Sequence, residues 1–179
     1  MIQPTHKPVP AGNAAAVTRV GTIHPDAPAI YVFEHVLAAV IRYSETDLRR
    51  ELGGFLLGGL HHDRRVYVEV RAFLPAVATS SGTTSLRFTH DTWAAMTRRA
   101  EAGYPGELVL GWQHTHPGLG VFLSAHDVFI HRHFFSQPWQ IAMVVDPRSR
   151  QLALFQWRGS EVVDCGFMHV QRDPQPTAR

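Results

Sequence analysis

One short segment, LVLGWQHTHPGLGVFLSAHD, constrains what this 179-residue chain can fold into more than any other. Its first half is predicted to be a β-strand that ends at Pro117, because proline donates no hydrogen bond to a sheet. Gly118 and Gly120 then permit a tight loop. Ser124 is a favourable helix N-cap, and its spacing to Asp127 resembles a capping box. The segment therefore predicts a strand, a loop and the first turn of a helix in immediate succession.

This strand–loop–helix unit brings three side chains that can bind a metal towards one point. His114 and His116 leave the same face of the predicted strand, with Cα atoms about 6.5–7 Å apart. Asp127 falls in the first turn of the helix, where a carboxylate is electrostatically favoured. Zinc with three protein ligands keeps a fourth position open for water, so the pattern favours a catalytic metal site. The alternative is that the two histidines are ordinary polar residues beside a loop.

A zinc hydrolase also needs a general base that accepts the proton of the attacking water. The candidate is Glu51, which begins the segment ELGGFLLGG and enters a predicted apolar strand. The alternative is a solvated carboxylate that follows Arg49 and Arg50.

Periodicity over the rest of the chain predicts alternating helices and strands. IYVF runs into a helix, GGFLLGGL and RVYVEVRAFL form a hairpin, DTWAAMTRRAEA is a helix, and QIAMVVD and QLALFQW are strands. This order predicts an α/β fold, a single-domain mixed β-sheet sandwiched by helices. The domain is expected over residues 25–170, between a flexible N-terminal tail over 1–24 and a C-terminal tail over 171–179.

Composition excludes several other classes of protein. The only cysteine, Cys165, rules out an internal disulfide and a thiolate zinc cluster, and we expect it to be buried. A net charge of +2 with scattered arginines argues against nucleic-acid binding. Apolar runs are too short for a bilayer span and the first residues lack a secretory pattern, so no membrane partner and a cytoplasmic location are expected.

The candidate residues resemble the pattern of the JAMM metallopeptidases, also called JAB or MPN-plus. That family includes the deconjugating enzymes of the proteasome lid and the signalosome. Its pattern is Glu, then His-x-His-Pro, then Ser-x-x-Asp, and E-L-G-G-F-L-L-G matches the family's context around the glutamate. The resemblance covers most of residues 30–158, including the later AMVVDP. It implies the JAB/MPN fold, with a cytidine-deaminase-like layering.

The resemblance also implies roles for individual residues. His114, His116 and Asp127 would bind one Zn²⁺ per chain. Glu51 would hold and deprotonate the water, and Ser124 would donate a hydrogen bond to the oxyanion.

Family members cleave the amide after the Gly-Gly tail of ubiquitin or of a ubiquitin-like protein, often an isopeptide bond to lysine. The expected partners are therefore a ubiquitin-like protein and its conjugates, together with proteins of the conjugation pathway. A polar loop falls where the family's first substrate-binding insertion lies. Its candidate substrate-binding residues are Thr83, Thr84, Ser85, Leu86, Arg87 and Phe88.

Two alternatives use the same resemblance. The first is a peptidase that trims the C-terminus of a ubiquitin-like or sulfur-carrier precursor, with the same chemistry at the metal. The second is a non-catalytic scaffold subunit, although such relatives usually lose ligands that this chain keeps. Among the remaining histidines, His126 is expected to point away from the metal. His131, one turn after Asp127, could support the metal ligands from behind, but an exposed helix position is favoured, and His133 and His61 are expected as surface or capping residues.

Overall fold

The apolar strands assemble into one ten-stranded mixed sheet in the computed structural model, which describes residues 2–10, 15–76 and 90–172. The strands are β1 (Thr5–His6), β2 (Ala15–Val20), β3 (Ala29–Phe33), β4 (Gly53–His62), β5 (Val66–Pro75), β6 (Leu108–Thr115), β7 (Ile141–Asp146), β8 (Gln151–Arg158), β9 (Glu161–Cys165) and β10 (Phe167–Arg172). The helices within these ranges are α1 (Glu34–Ser44), α2 (His90–Gly103) and α3 (Ala125–Phe134).

The sheet has the order β2-β10-β3-β5-β4-β6-β7-β8-β9, and β1 pairs with the end of β4. Strand β6 lies inside the sheet, antiparallel to β4 and parallel to β7. Its neighbours on both sides satisfy its backbone, so the strand that carries the candidate histidines is a fixed element.

The two faces of the sheet carry separate hydrophobic clusters. Val36 and Val40 of α1 pack into the first cluster, whereas Met96 of α2 and Ile130 of α3 pack into the second. Helices therefore cover both faces, which confirms the predicted α/β sandwich. None of the described helices is long and apolar enough to cross a membrane.

A β-bulge in β6 sets the direction of its last residues. Opposite β4 the register shifts at Leu110, so that Leu56 pairs with Gly111 and Leu57 with Val109. Leu110 joins the cluster on the α1 side, whereas Trp112 joins the cluster on the other face. Because bulges re-aim side chains, this one turns the end of β6 towards α2 and α3.

The expectation of a tail over residues 1–24 is wrong for two segments within it. Strand β2 pairs along its whole length with β10, and β1 pairs with the end of β4. The ammonium of Lys7 forms an ion pair with the fully buried Glu69 carboxylate. At the other end, β10 continues to Arg172. These short strands lack a strong apolar pattern of their own, and pairing with distant strands orders them.

The curled sheet brings its two ends together. Strand β9 lies at one end of the sheet, and β10 is the second strand from the other end. Only Gly166 separates these two strands in the sequence. A Cβ atom at Gly166 would lie 2.2 Å from the carbonyl oxygen of Val20. The Arg158 side chain donates to the Asp26 carboxylate across the same junction, at 2.8 Å. Close backbone contact therefore holds Gly166 against the end of β2 where the chain passes from β9 to β10.

Candidate metal centre

The end of β6 and the start of α3 hold the three candidate ligands. His114 lies between Gly53 of β4 and Val144 of β7 in the sheet. His116 follows one residue after the strand, and its backbone N–H donates to the Val145 carbonyl at 2.9 Å. The backbone of His114 is therefore held by strands on both sides, and the backbone of His116 is held by β7.

A capping box holds the third ligand, as the sequence predicts. The Asp127 backbone N–H donates to the Ser124 hydroxyl oxygen at 3.2 Å. In return, the Ser124 N–H donates to the Asp127 carboxylate at 2.7 Å. These reciprocal bonds fix the rotamer of Asp127 and direct its carboxylate towards the histidines.

The three side chains converge on one buried point. The Nε2 atoms of His114 and His116 are 3.1 Å apart, and each lies 3.5 Å from an oxygen of Asp127. Tetrahedral zinc with bonds of about 2.0–2.2 Å separates its ligand atoms by about 3.3–3.6 Å. The two distances of 3.5 Å fall within this range and the Nε2–Nε2 distance of 3.1 Å is slightly shorter. Imidazole with carboxylate is a donor set that zinc accepts. This group could therefore bind a metal ion.

Charges within the group favour the forms that bind a cation. Burial lowers the pKa of His114, so its imidazole is neutral and has a free lone pair. Burial opposes ionisation of Asp127, but bonds to His114 and His116 hold the pKa of its carboxyl well below the usual range. Burial likewise opposes protonation of His116, but its contact with Asp127 raises the pKa of its imidazole. A cation at the centre would replace the proton that Asp127 attracts.

The imidazole rings are oriented largely by aromatic neighbours. Nδ1 of His114 is buried without a hydrogen-bond partner among the residues that the structure describes, whereas the His116 ring interacts with the backbone of Gly120. Metal-binding histidines usually donate this N–H to a neighbour, which orients the ring. Here aromatic rings pack against both: Trp112 stacks on His114 at 4.3 Å between centroids, and Phe122 lies 4.9 Å from His116.

Glu51 reaches the same end of the sheet through the backbone of its neighbour. The Leu52 N–H donates to the Thr115 hydroxyl, and the Thr115 N–H donates to the Leu52 carbonyl, both at 2.8 Å. The negative charge of Glu51 favours the protonated forms of His114 and His116. The segment is thus positioned for the predicted role, and the role itself stays a prediction.

Asp146, at the end of β7, anchors the loop between the ligands and was missed in the sequence. Its buried carboxylate accepts the N–H groups of Gly118 at 2.8 Å and of Gly120 at 2.9 Å. Both glycines have left-handed φ values, 81° and 88°. Burial opposes ionisation, but these bonds hold the pKa of Asp146 well below its usual range. The available signal was an aspartate directly after the buried strand AMVV.

The other histidines divide into two groups. His126 and His133 are exposed, as expected. The expectation of surface positions for His131 and His61 is wrong, because both are buried by contacts from distant elements. His61 bonds to the Thr5 hydroxyl at 2.8 Å. The six candidate substrate-binding residues lie outside the described residues: Thr83, Thr84, Ser85, Leu86, Arg87 and Phe88.

Comparison with known proteins agrees with this geometry. Residues 27–137 match the family model described as JAB1/Mov34/MPN/PAD-1 ubiquitin protease. The chain is 26% identical over 169 residues, 94% of its length, to the 26S proteasome non-ATPase regulatory subunit 14 of Dictyostelium discoideum, of which the match covers 52%. It is 26% identical over 83% of its length to the ubiquitin carboxyl-terminal hydrolase RPN11 of Saccharomyces cerevisiae, of which the match covers 48%. The chain therefore spans about half the length of these two relatives.

Solved structures show a related fold. The solution structure of a protein from Desulfitobacterium hafniense superposes with a TM-score of 0.58 at 18% identity, covering 81% of this chain and 94% of that one. At this identity the likeness concerns the fold alone.

Proposed function

The chain belongs to the JAB1/Mov34/MPN/PAD-1 ubiquitin protease family, and from this premise we propose that it is a zinc-dependent isopeptidase. Its reaction is hydrolysis of the amide after the Gly-Gly tail of ubiquitin or of a ubiquitin-like modifier. The observation that carries the proposal is the buried convergence of two imidazole nitrogens and one carboxylate at the end of β6.

Each residue of the centre has one task in this reaction. His114, His116 and Asp127 hold the metal. When bound, zinc supplies a Lewis acid for the scissile carbonyl and lowers the pKa of water at its open position. Glu51 accepts a proton from the attacking water and returns it to the departing amine nitrogen.

Ser124 has a hydroxyl hydrogen available for the oxyanion. Its oxygen accepts the backbone N–H of Asp127, so the bond within the capping box uses the acceptor side of the hydroxyl. The hydrogen can then donate to the oxygen on which negative charge develops. A single donor of this kind is typically worth about 100- to 1000-fold in rate.

The substrate class follows from the family and from the relatives' names. One relative is named as a ubiquitin carboxyl-terminal hydrolase and another as a proteasome regulatory subunit. Because this chain spans about half their length, we transfer only the cleavage after a ubiquitin-like tail. The complete ligand set and Glu51 favour an enzyme over a scaffold subunit.

The test is cleavage of a panel of ubiquitin-like proteins, each joined through its Gly-Gly tail to the side chain of a reporter lysine. We expect release by the zinc-loaded protein and loss of release with a chelator. Glu51→Gln should retain zinc and lose about 100- to 10,000-fold in rate, the usual contribution of general acid–base catalysis. Glu45→Gln, an exposed glutamate on the preceding segment, is the matched control.

Each outcome has a defined meaning. Unchanged turnover in Glu51→Gln would remove the general-base role. Cleavage of linear extensions beyond the Gly-Gly, without release from lysine, would replace the isopeptidase by the precursor peptidase. Zinc bound with no cleavage of either class would contradict the proposal.

A further inference from the structure

His131 occupies a fully buried position one helical turn after Asp127, behind the metal centre. Its ring stacks on Trp157 at 5.2 Å and on Phe135 at 5.8 Å between centroids. Its Nδ1 atom accepts the indole N–H of Trp112 at 3.2 Å. The three candidate ligands form the metal centre without His131, so the presence of a polar imidazole at this buried position requires another explanation.

Trp112 connects His131 to a candidate ligand. Its indole ring stacks on the His114 imidazole at 4.3 Å between centroids and 14° between planes. Because Nδ1 of His114 has no hydrogen-bond partner in the described part of the chain, this stacking takes the place of the bond that usually orients a ligand ring. The orientation of His114 therefore depends on how Trp112 is held.

The bond between His131 and Trp112 also joins the two elements that carry ligands. Trp112 lies on β6, two residues before His114, and His131 lies on α3, four residues after Asp127. Together with the stacking of Trp112 on Phe135, this bond links the helix that supplies the carboxylate to the strand that supplies the imidazoles. His114 and Asp127, the ligands carried by these two elements, are 3.5 Å apart between Nε2 and a carboxylate oxygen.

Retaining an imidazole here has a cost that a leucine would avoid. Burial lowers the pKa of His131 to about 4, so the ring is neutral at pH 7. Since Nδ1 accepts from Trp112, the ring hydrogen must lie on Nε2. That nitrogen is buried without a partner among the described residues, an arrangement that destabilises a fold. A buried polar group of this kind points to a specific task.

We propose that His131 is a positioning residue for the metal centre. By accepting the Trp112 N–H, it aligns the His114 ring and holds α3 against β6. The proposal rests on metal binding as set out under the proposed function. It assigns His131 no contact with substrate or metal.

The experiment measures metal binding directly, in the full-length chain. Zinc affinity is determined by competition with a chromophoric chelator, and the Co²⁺-substituted protein gives an absorption spectrum sensitive to ligand geometry. We expect His131→Leu to weaken zinc binding about 10- to 100-fold, as outer-shell changes typically do, and to alter the Co²⁺ spectrum. His131→Gln, whose amide oxygen can accept the indole N–H, should restore most of the affinity.

Two further variants separate positioning from general damage. Trp112→Phe keeps a stacked ring but removes the donor, and it should weaken zinc binding in the same direction. His133→Leu, an exposed histidine on the same helix, should bind zinc as the wild type does.

The outcomes distinguish this inference from the proposed function. A wild-type protein that binds no zinc would overturn both. Zinc affinity and Co²⁺ spectrum unchanged in His131→Leu, with a wild type that binds zinc, would overturn the inference alone. A folded His131→Gln with no recovery would also overturn it, because the acceptor would then be irrelevant.

Discussion

Single residues of the metal centre are held by different forces. Backbone hydrogen bonds fix Asp127, whereas ring packing orients His114 and His116. Hydrogen bonds define a side chain's direction more narrowly than stacking does. The Asp127 carboxylate is therefore the ligand whose orientation is fixed most firmly. The orientations of the two imidazoles are more sensitive to substitutions in neighbouring residues.

Replacement of one imidazole should show whether the three side chains bind metal together. We expect His116→Ala to lose most of the bound zinc, because two remaining ligands hold the ion weakly. Zinc content after gel filtration measures this. His126→Ala is the matched control, since His126 is exposed and adjacent to Asp127. Full zinc occupancy in His116→Ala would exclude that residue as a ligand.

The convergence of His114, His116 and Asp127 was predictable because strand alternation, Pro117 and a helix cap are local signals. The burial of His131 was not, since it depends on Trp112 and on rings from β8. No local pattern distinguishes a histidine that faces solvent from one covered by a distant strand. The position of His131 one turn after Asp127 was the only hint in the sequence.

Among the elements, the turn between β7 and β8 contacts the loop that joins the ligands. Asp146 accepts two N–H groups of the ligand loop and also the N–H groups of Arg148 and Ser149 in its own turn. One carboxylate thus joins two loops. The loop between His116 and the helix keeps its left-handed glycines because these bonds hold them.

Replacing the Asp146 carboxylate by an amide should weaken the hydrogen bonds that hold the loop between His116 and α3. In Asp146→Asn an NH₂ group replaces one carboxylate oxygen, so one of the loop N–H groups that Asp146 accepts would face a second donor. We expect about 1–3 kcal/mol lower stability and weaker zinc binding. Urea unfolding and chelator competition measure these, with the exposed Asp164→Asn as the control. Zinc affinity equal to the wild type would show that the loop keeps its conformation without Asp146.

The central elements were predictable from periodicity, and the peripheral ones were not. GGFLLGGL and QIAMVVD are apolar enough to specify buried strands β4 and β7. Strand β10 mixes polar and apolar residues, and β1 contains only two residues, both polar. Their structure depends on partners far away in the sequence, which a local pattern does not contain.

In the molecule as a whole, the chain passes at Gly166 from β9, at one end of the sheet, to β10, next to the other end, and the Gly166 backbone contacts β2. Gly166→Ala would place a Cβ atom 2.2 Å from the carbonyl oxygen of Val20. Neither backbone segment can move away without breaking strand pairs. We expect Gly166→Ala to lower the free energy of unfolding by about 1–3 kcal/mol, the usual cost of overpacking. Urea unfolding measures this.

Gly103→Ala is the matched control, because a Cβ there would meet nothing within 4 Å. That variant should be neutral or slightly stabilising, by up to about 1 kcal/mol. Equal stabilities for both variants would show that the ends of the sheet are not held by this contact.

The ion pair at the N-terminal strand has a consequence for the protein's own modification. Lys7 is the only lysine in the chain, and its ammonium is committed to the buried carboxylate of Glu69. Acylation of that amine would remove its charge and leave Glu69 with less compensation inside the sheet. A protein proposed to detach modifiers from lysine therefore offers them one lysine of its own, and modification of that lysine would break its ion pair with Glu69.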